Sequence, residues 1–301
     1  MTHVIDTFES NRSKLLGLAY RITGSAFEAE DIVHETFLKW YAADHQVIEA
    51  PSSWLYTVTT RLAVDHLRSA AVKREEYIGP WLPEPFIETR EQPEHSYEID
   101  ESITMALLVL LEALSPEERA SYILHDLFHF GFEEISQILD KNSTACRKLA
   151  SRARTKIDKD RIRYSHDTVE HQEVIHAFFS AVKRGDLSTL VSVLQEDVSF
   201  HSDGGGKAVA APEILRGRDI VSQFVLANIS ANMDDNSQSI EEVWFNGSPG
   251  FLVSYHGKPV SAFNFDVVDK RIQKIHVLRN PDKLAFFCGE ASAEQGTVLH
   301  N

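Results

Sequence analysis

Nine lysine and arginine side chains fall between Lys141 and Arg163, against two acids, Asp158 and Asp160, in a chain of 301 residues whose formal net charge is −15. A cation cluster on one helix face suits the phosphate backbone of a nucleic acid, because each cation that meets a phosphate releases condensed counterions. The plainer account of the same residues is a solvated, charged helix. Other chemistry-bearing candidates are weaker. The run Gly204-Gly205-Gly206-Lys207 lacks the spacing of a phosphate-binding loop and reads as backbone that allows close approach. His125 and His129, four apart on a helix, make half a metal site with no third ligand at suitable spacing, so they read as structural and no metal or other cofactor is expected. Cys146 sits beside Arg147, which favours a thiolate, but on a helix of this kind it reads as a small packing residue.

The residues ahead of the basic cluster choose between its readings. In LSPEERASYILHDLFHFGFEEISQIL, residues 114–139, Ser115, Pro116 and Glu118 supply an N-cap, a proline at the first helical position and a capping-box acid. After Gly131 a short helix carries Ile135, Ile138 and Leu139 on one side, Asp140–Asn142 turn the chain, and Ser143 can cap the next helix. That helix spaces Ala145, Leu149, Ala153 and Ile157 four apart and leaves Arg147, Lys148, Arg152, Arg154 and Lys156 to face outward. A short helix, a three-residue turn and a basic helix make a helix-turn-helix, whose second helix reads the major groove.

Length allows two or three domains with real cores. There is no run of about twenty apolar residues and no secretory leader pattern, so a cytoplasmic protein with no membrane partner is expected. Cys146 and Cys288 are too far apart in sequence to suggest a disulfide framework. The acidity of the whole argues against indiscriminate nucleic-acid binding; a DNA contact must be local and oriented.

From Asp6 to Arg74 the pattern is helical. Ser25 and Glu28 open a helix in which Ile32, Phe37, Leu38 and Tyr41 are expected to face inward and Glu28, Glu30, Asp31 and Glu35 outward. The next helix follows Pro51, with Trp54, Leu55, Val58, Leu62 and Leu67 apolar and Arg61, Arg68, Lys73 and Arg74 basic. By periodicity alone this is an amphipathic bundle. The order AYRITGSAFEAEDIVHETFLKW, WLYTVTTRLAVDHLRS, then residues 114–139 and the basic helix, resembles a bacterial RNA polymerase sigma factor of the extracytoplasmic-function group. The resemblance implies that Glu30, Asp31, Glu35 and Phe37 bind core polymerase at the β′ clamp. It places Trp54, Arg61, Asp65, Arg68, Lys73 and Arg74 at the -10 element, and Ser143, Thr144, Arg147, Lys148, Ser151, Arg152 and Arg154 at the -35 element, with the second DNA-reading domain on the β flap. His34 and Arg61 stand where many members have Gln and Asn, so the -10 preference does not carry over.

Beyond Tyr164 helices at 169–184 and 186–194 precede strands near 198–201, 242–246, 251–256, 260–268 and 272–278, with a helix at 219–229 and turn chemistry at Asn246-Gly247 and Asp269-Lys270. This predicts an α+β domain with a curved antiparallel sheet. The order is similar to the SnoaL-like branch of the NTF2-like cone folds, and the whole chain resembles the SigJ-like group of sigma factors that carry such a domain. The expected division is therefore multidomain: an all-α sigma region 2 bundle (1–75), a Pro-rich acidic linker (76–100), a region 4 helix-turn-helix (101–164), a SnoaL-like regulatory domain (165–290) and a tail (291–301). YIGPWLPEP in the linker, DGGGK at 203–207 and NPDKL at 280–284 carry that resemblance. Their residues Trp81, Leu82, Pro83, Asp203, Gly204, Gly205, Gly206, Lys207, Asn280, Pro281, Asp282 and Lys283 are expected to form a regulatory contact between the SnoaL-like domain and the sigma domains. The expected function is promoter-specific transcription initiation with core polymerase, and no reaction. The alternatives are a ligand-responsive regulator with a small molecule in the cone, or a cyclase or isomerase moving protons through Asp203, His201, His256 or His276.

Overall fold

The computed structural model describes residues 2–74, 77–86, 104–160, 168–229, 237–285 and 287. The chain forms two compact units, Met1–Glu76 with Arg90–Arg161, and Tyr77–Thr89 with Ile162–Asn301. The linker motif thus belongs with the C-terminal unit, and the two helical modules expected as separate domains share one unit.

The helical unit contains α1 (Thr2–Thr23), α2 (Ala26–Ala42), α3 (Pro51–Arg74), α4 (Met105–Leu111), α5 (Pro116–Tyr122), α6 (Phe132–Leu139) and α7 (Ser143–Asp160). Ser25 accepts from the Glu28 N–H and starts α2; Ser115 and Glu118 close a reciprocal capping box on α5, with Pro116 in the first turn. One π-helical turn, Ile123–Leu127, follows α5. Asp140, in the left-handed region (φ 52°), ends α6, and Asn142 rather than Ser143 caps α7, accepting from the Ala145 N–H at 2.8 Å. The inward stripe of α7 is Cys146, Ala150, Ala153 and Ile157, all buried, so the expected stripe holds at 153 and 157 and shifts by one residue at its start. Burial raises the pKa of the Cys146 thiol, which fits packing and not a reactive thiolate. His125 stacks on Phe132 at 4.0 Å.

On α2, Ile32 is buried as expected, but Leu38 and Tyr41 are 53% and 50% exposed. Helical periodicity finds an apolar face; it does not tell whether the same protein covers it.

In the C-terminal unit, α8 (Thr168–Arg184), α9 (Leu187–Val193) and α10 (Arg218–Asn228) accompany β1 (Leu194–Asp203), β2 (Leu215–Arg216), β3 (Gln238–Phe245), β4 (Ser248–Tyr255), β5 (Lys258–Val268) and β6 (Arg271–Leu278), and α11 (Pro281–Leu284) follows. The sheet order is β2-β1-β6-β5-β4-β3. β1 runs parallel to β6, which corrects the expected antiparallel sheet: β2, α10 and the β3–β4–β5 hairpins come between them and return the chain so that β6 lies beside β1 in the same direction. Left-handed Asn246-Gly247, His256-Gly257 and Asp269-Lys270 make the three hairpin turns. Phe178 and Phe179 of α8 pack against Phe251, Phe263 and Phe265 of the sheet, the closest rings being Phe179 and Phe251 at 3.9 Å between centroids. Alternation then sends Asn264, Asp266, His276, His201 and Asp203 to the opposite face.

Candidate functional site

Thr144, Arg147, Lys148, Ser151 and Arg152 stand exposed along α7, with Ser143 half-buried at its start. They form a basic face over two turns. Arg154 turns away and pairs with Asp126 at 2.7 Å, and Lys156 binds Glu118 at 2.7 Å. Burial would raise the Glu118 carboxyl, but Lys156 and the Ser115 N–H outweigh it and hold the pKa low. The free basic face is therefore shorter than the charge count suggested.

Glu30, Asp31 and Glu35 are exposed on α2, Glu35 pairing with Lys39 at 3.3 Å. Phe37 is half-buried and packs edge-on against Phe8 at 4.9 Å. Phe27, Leu38 and Tyr41 are exposed, and with Asp31 and His34 they recur at steps of four, three, four and three. That is a heptad seam open to solvent, the shape a partner helix fits. Of its residues, Asp31 was expected to face outward and Leu38 and Tyr41 inward.

On α3, Trp54 lies half-buried against Trp40, ring centroids 5.5 Å apart. Asp65 and Arg68 are paired at 2.9 Å, and Arg68 also reaches Glu117 at 2.7 Å. Arg61 donates to the carbonyls of Ile138 (2.8 Å) and Gln137 (2.9 Å), capping the negative end of α6. Two arginines expected at the -10 element thus bind the helix-turn-helix module in this structure. The side chains of Lys73 and Arg74 lie outside the described residues, as does Cys288.

The three motifs of the C-terminal unit and linker converge on one cluster. Asp203, at the end of β1, is 0% exposed and Lys283 of α11 is 5% exposed; they pair at 2.7 Å. Between them they hold one linker peptide by both ends: the Leu82 N–H donates to Asp203 at 2.9 Å, and Lys283 Nζ donates to the Leu82 carbonyl at 2.6 Å. Tyr77 donates its hydroxyl to the other Asp203 oxygen and accepts from Asn280 at 2.9 Å. Burial first, then Asp203, raises the Tyr77 pKa, so it stays a donor. The Trp81 ring covers the Lys283 ammonium, 3.3 Å from its centroid. Four residues on, Phe86 donates to Asn246 Oδ1 at 2.7 Å and accepts from the Asn246 N–H at 3.0 Å. Pro83 and Pro85, which have no N–H to give, fall between the two grips.

The glycines of DGGGK make room for this linker. Gly205 (φ 58°) has the Asn280 amide and Tyr77 hydroxyl where a side chain would go, and a Cβ on Gly206 (φ 69°) would lie 2.9 Å from Ile78. Lys207 pairs with Asp282 across the two motifs, and Asn280 caps α11 with Pro281 at its start. Gly205→Ala is therefore expected to weaken linker docking and to raise the rate of proteolysis within 77–86; an unchanged cleavage rate would show that the notch is not needed.

The side chains expected to move protons in a cone lie elsewhere. His201 and His276 are on the face opposite α8, their rings 5.1 Å apart; His201 meets Ser199 at 2.9 Å and His276 meets Asp266 at 3.2 Å. His256 is exposed in a hairpin turn, and Asp203 is committed to the linker. On the α8 side of the sheet Phe178 and Phe179 pack against Phe251, Phe263 and Phe265. Burial, then His276 and Lys274, pushes the His201 pKa down to about 3, and burial also lowers His171. Both groups bind protons more readily when unfolded, so their stability contribution is full above about pH 6.5 and is lost as pH falls below it. Chemical denaturation of the full chain at pH 7.5, 6 and 5 is expected to show that loss, up to about 1.4 kcal/mol per pH unit per histidine; a flat profile would contradict it.

Two sigma-70 families match this chain: region 2 over residues 7–72 and region 4 over residues 104–157. The extracytoplasmic-function sigma factor SigJ of Mycobacterium tuberculosis is 41% identical over 225 residues, 74% of this chain and 72% of its own. The probable sigma factor SigI of that species is 31% identical over 92% of this chain and 93% of its own. The crystal structure of M. tuberculosis SigJ superposes with a TM-score of 0.75 at 31% identity, covering 93% of this chain and 98% of that one. With helices α1–α3 covered by the region 2 match and the α6–α7 helix-turn-helix by the region 4 match, the chain belongs to the extracytoplasmic-function RNA polymerase sigma factors, in the SigJ group.

Proposed function

We propose that this alternative sigma factor is held in check by its own linker, docked on the C-terminal domain. As a sigma factor it binds core RNA polymerase and promoter DNA to start transcription. In our reading the α2 seam with Glu30, Asp31 and Glu35 meets the β′ clamp, α3 reads the -10 element, and Thr144, Arg147, Lys148, Ser151 and Arg152 read the -35 element on a domain carried by the β flap. The carrying observation for control is the Leu82 peptide held at both ends by a buried ion pair.

Thirty residues, 75–104, join α3 to α4, and 77–86 are the docked ones. Docking fixes 77–86 to the C-terminal domain, so that these ten residues no longer adjust as the two DNA-reading modules part. Arg61 and Arg68 reinforce the same restraint, because they bind the module from which α3 would have to part. The domain acts here without chemistry: a ring-filled interior favours a contact device over a ligand sensor or an enzyme.

Leu82→Pro removes the N–H that Asp203 accepts and keeps every residue of the C-terminal domain. Run-off transcription with purified core polymerase is expected to change several-fold; identical output from wild type and variant would end the proposal. Separately, Arg147→Ala with Lys148→Ala is expected to lower output from a cognate promoter at least tenfold with core binding intact, and unchanged output would remove α7 from promoter reading.

A further inference from the structure

The way the linker is held points to a more general property of the C-terminal domain. Its contacts with 77–86 are those of a receptor with a peptide. Both the N–H and the C=O of Leu82 and of Phe86 are engaged, Tyr77 is read through its hydroxyl and Trp81 through its ring face over an ammonium. Main-chain bonds at fixed intervals with side-chain contacts between them are how folded domains recognise extended segments. The receptor side is contributed by the C-terminal domain alone: Asp203, Asn246, Asn280 and Lys283, with the notch at Gly205 and Gly206. Nothing in these contacts requires the bound segment to be covalently joined to the domain.

We infer that this face is a peptide-recognition site that takes, from another protein, an extended segment bearing an aromatic–leucine–proline triplet with a second main-chain grip four residues beyond the leucine. Such a segment displaces the linker and frees 77–86 from the domain. The inference rests on the docking proposed above and adds the chemistry of the signal. The ligand must be unblocked at the leucine N–H, aromatic just before it, and free of acid there, because Asp203 is 0% exposed and already faces the bound segment. A second copy of this chain is a poor occupant: its linker has only the affinity of the tethered one, which competes at an effective concentration on the order of millimolar, so the displacing segment must bind more tightly than the linker itself.

The probe is a synthetic decapeptide with the sequence of residues 77–86, fluorescently labelled. It is titrated into the full chain carrying Trp81→Ala and Leu82→Pro, which removes the ring over Lys283 and the N–H given to Asp203 and leaves every receptor residue in place. Saturable binding is expected, weakened roughly ten- to hundredfold when the peptide itself carries Leu82→Pro, and weakened likewise by Asn246→Gly in the receptor, a change that keeps the left-handed turn. On the wild-type chain a peptide of about 10 μM affinity should bind roughly a hundredfold more weakly, through competition with the tethered linker. No binding at millimolar peptide, or equal binding of the Leu82→Pro and scrambled peptides, overturns the inference. So does wild-type chain that elutes as a dimer and dissociates on adding peptide, since the occupant would then be a second copy. The binding assay contains no polymerase, so its failure leaves the transcription test of Leu82→Pro standing, and the reverse.

Discussion

Lys283→Met is expected to destabilise the C-terminal unit by about 3–5 kcal/mol, the cost of leaving one member of a buried ion pair without its partner. Asp203 has no access to solvent, and after the substitution its charge rests on the Tyr77 hydroxyl and the Leu82 N–H alone. For a unit of this size that is a fall in midpoint of roughly 6–20 °C. Asp203→Asn added to Lys283→Met removes the unpaired charge, and the double variant is expected to recover most of the loss, because replacing both ions of a buried pair is often close to neutral. Trp81 packs on the Lys283 ammonium; with the other three tryptophans of the chain replaced by phenylalanine, its fluorescence reports undocking of the linker and far-ultraviolet circular dichroism reports unfolding in the same denaturant titration. Additive losses in the double variant would mean that the two charges do not stabilise each other.

The elements that local chemistry specifies were legible in the sequence. The Ser115-Pro116-Glu118 start, the helix-turn-helix spacing, and the hairpins at Asn246-Gly247 and Asp269-Lys270 all rest on residues within a few positions of one another. What was hidden depends on long-range partners. The two-residue strand β2 exists because Leu215 and Arg216 find Phe200 and Ser199. The parallel pairing of β1 with β6 joins residues more than seventy positions apart. Leu38 and Tyr41 have the pattern of core residues and none of the cover, while Arg61 has the composition of a DNA contact and carbonyl partners 76 and 77 positions away. The linker motifs were visible as apolar, proline-rich and glycine-rich segments, but not that Asp203 and Lys283 grip a single peptide bond. Spacing shows which faces a helix has; the atoms opposite decide what those faces do.

Arg119 carries the second large expected effect. It is 2% exposed and donates to the Leu111 carbonyl at 2.9 Å and to the Ile22 carbonyl at 2.8 Å, while its remaining nitrogen pairs with Glu112 at 2.7 Å. Ile22 is in the last turn of α1, so one guanidinium ties the C-terminal end of α1, which has carbonyls to satisfy, to the α4–α5 corner. Arg119→Leu strands two main-chain acceptors and a carboxylate and is expected to cost the helical unit about 3–5 kcal/mol. Lysine keeps the charge but cannot fork to three acceptors, so Arg119→Lys should recover only part of it. The three bonds also divide by module: those to Leu111 and Glu112 lie within the region 4 helices, whereas the one to Ile22 crosses to region 2. Parting the modules would forfeit that bond together with those of Arg61 to Gln137 and Ile138 and of Arg68 to Glu117. Arg61→Ala and Arg68→Ala, both at exposed positions, should therefore cost the fold only about 1 kcal/mol each and lower the barrier to parting, whereas Arg119→Leu should unfold the unit. Hydrogen exchange separates the two outcomes: the Arg61 and Arg68 variants should lose protection at the α6 end and the α3 face alone, and the Arg119 variant throughout α1, α4 and α5. Uniform loss in all three variants would mean that the modules have no separable closed contact.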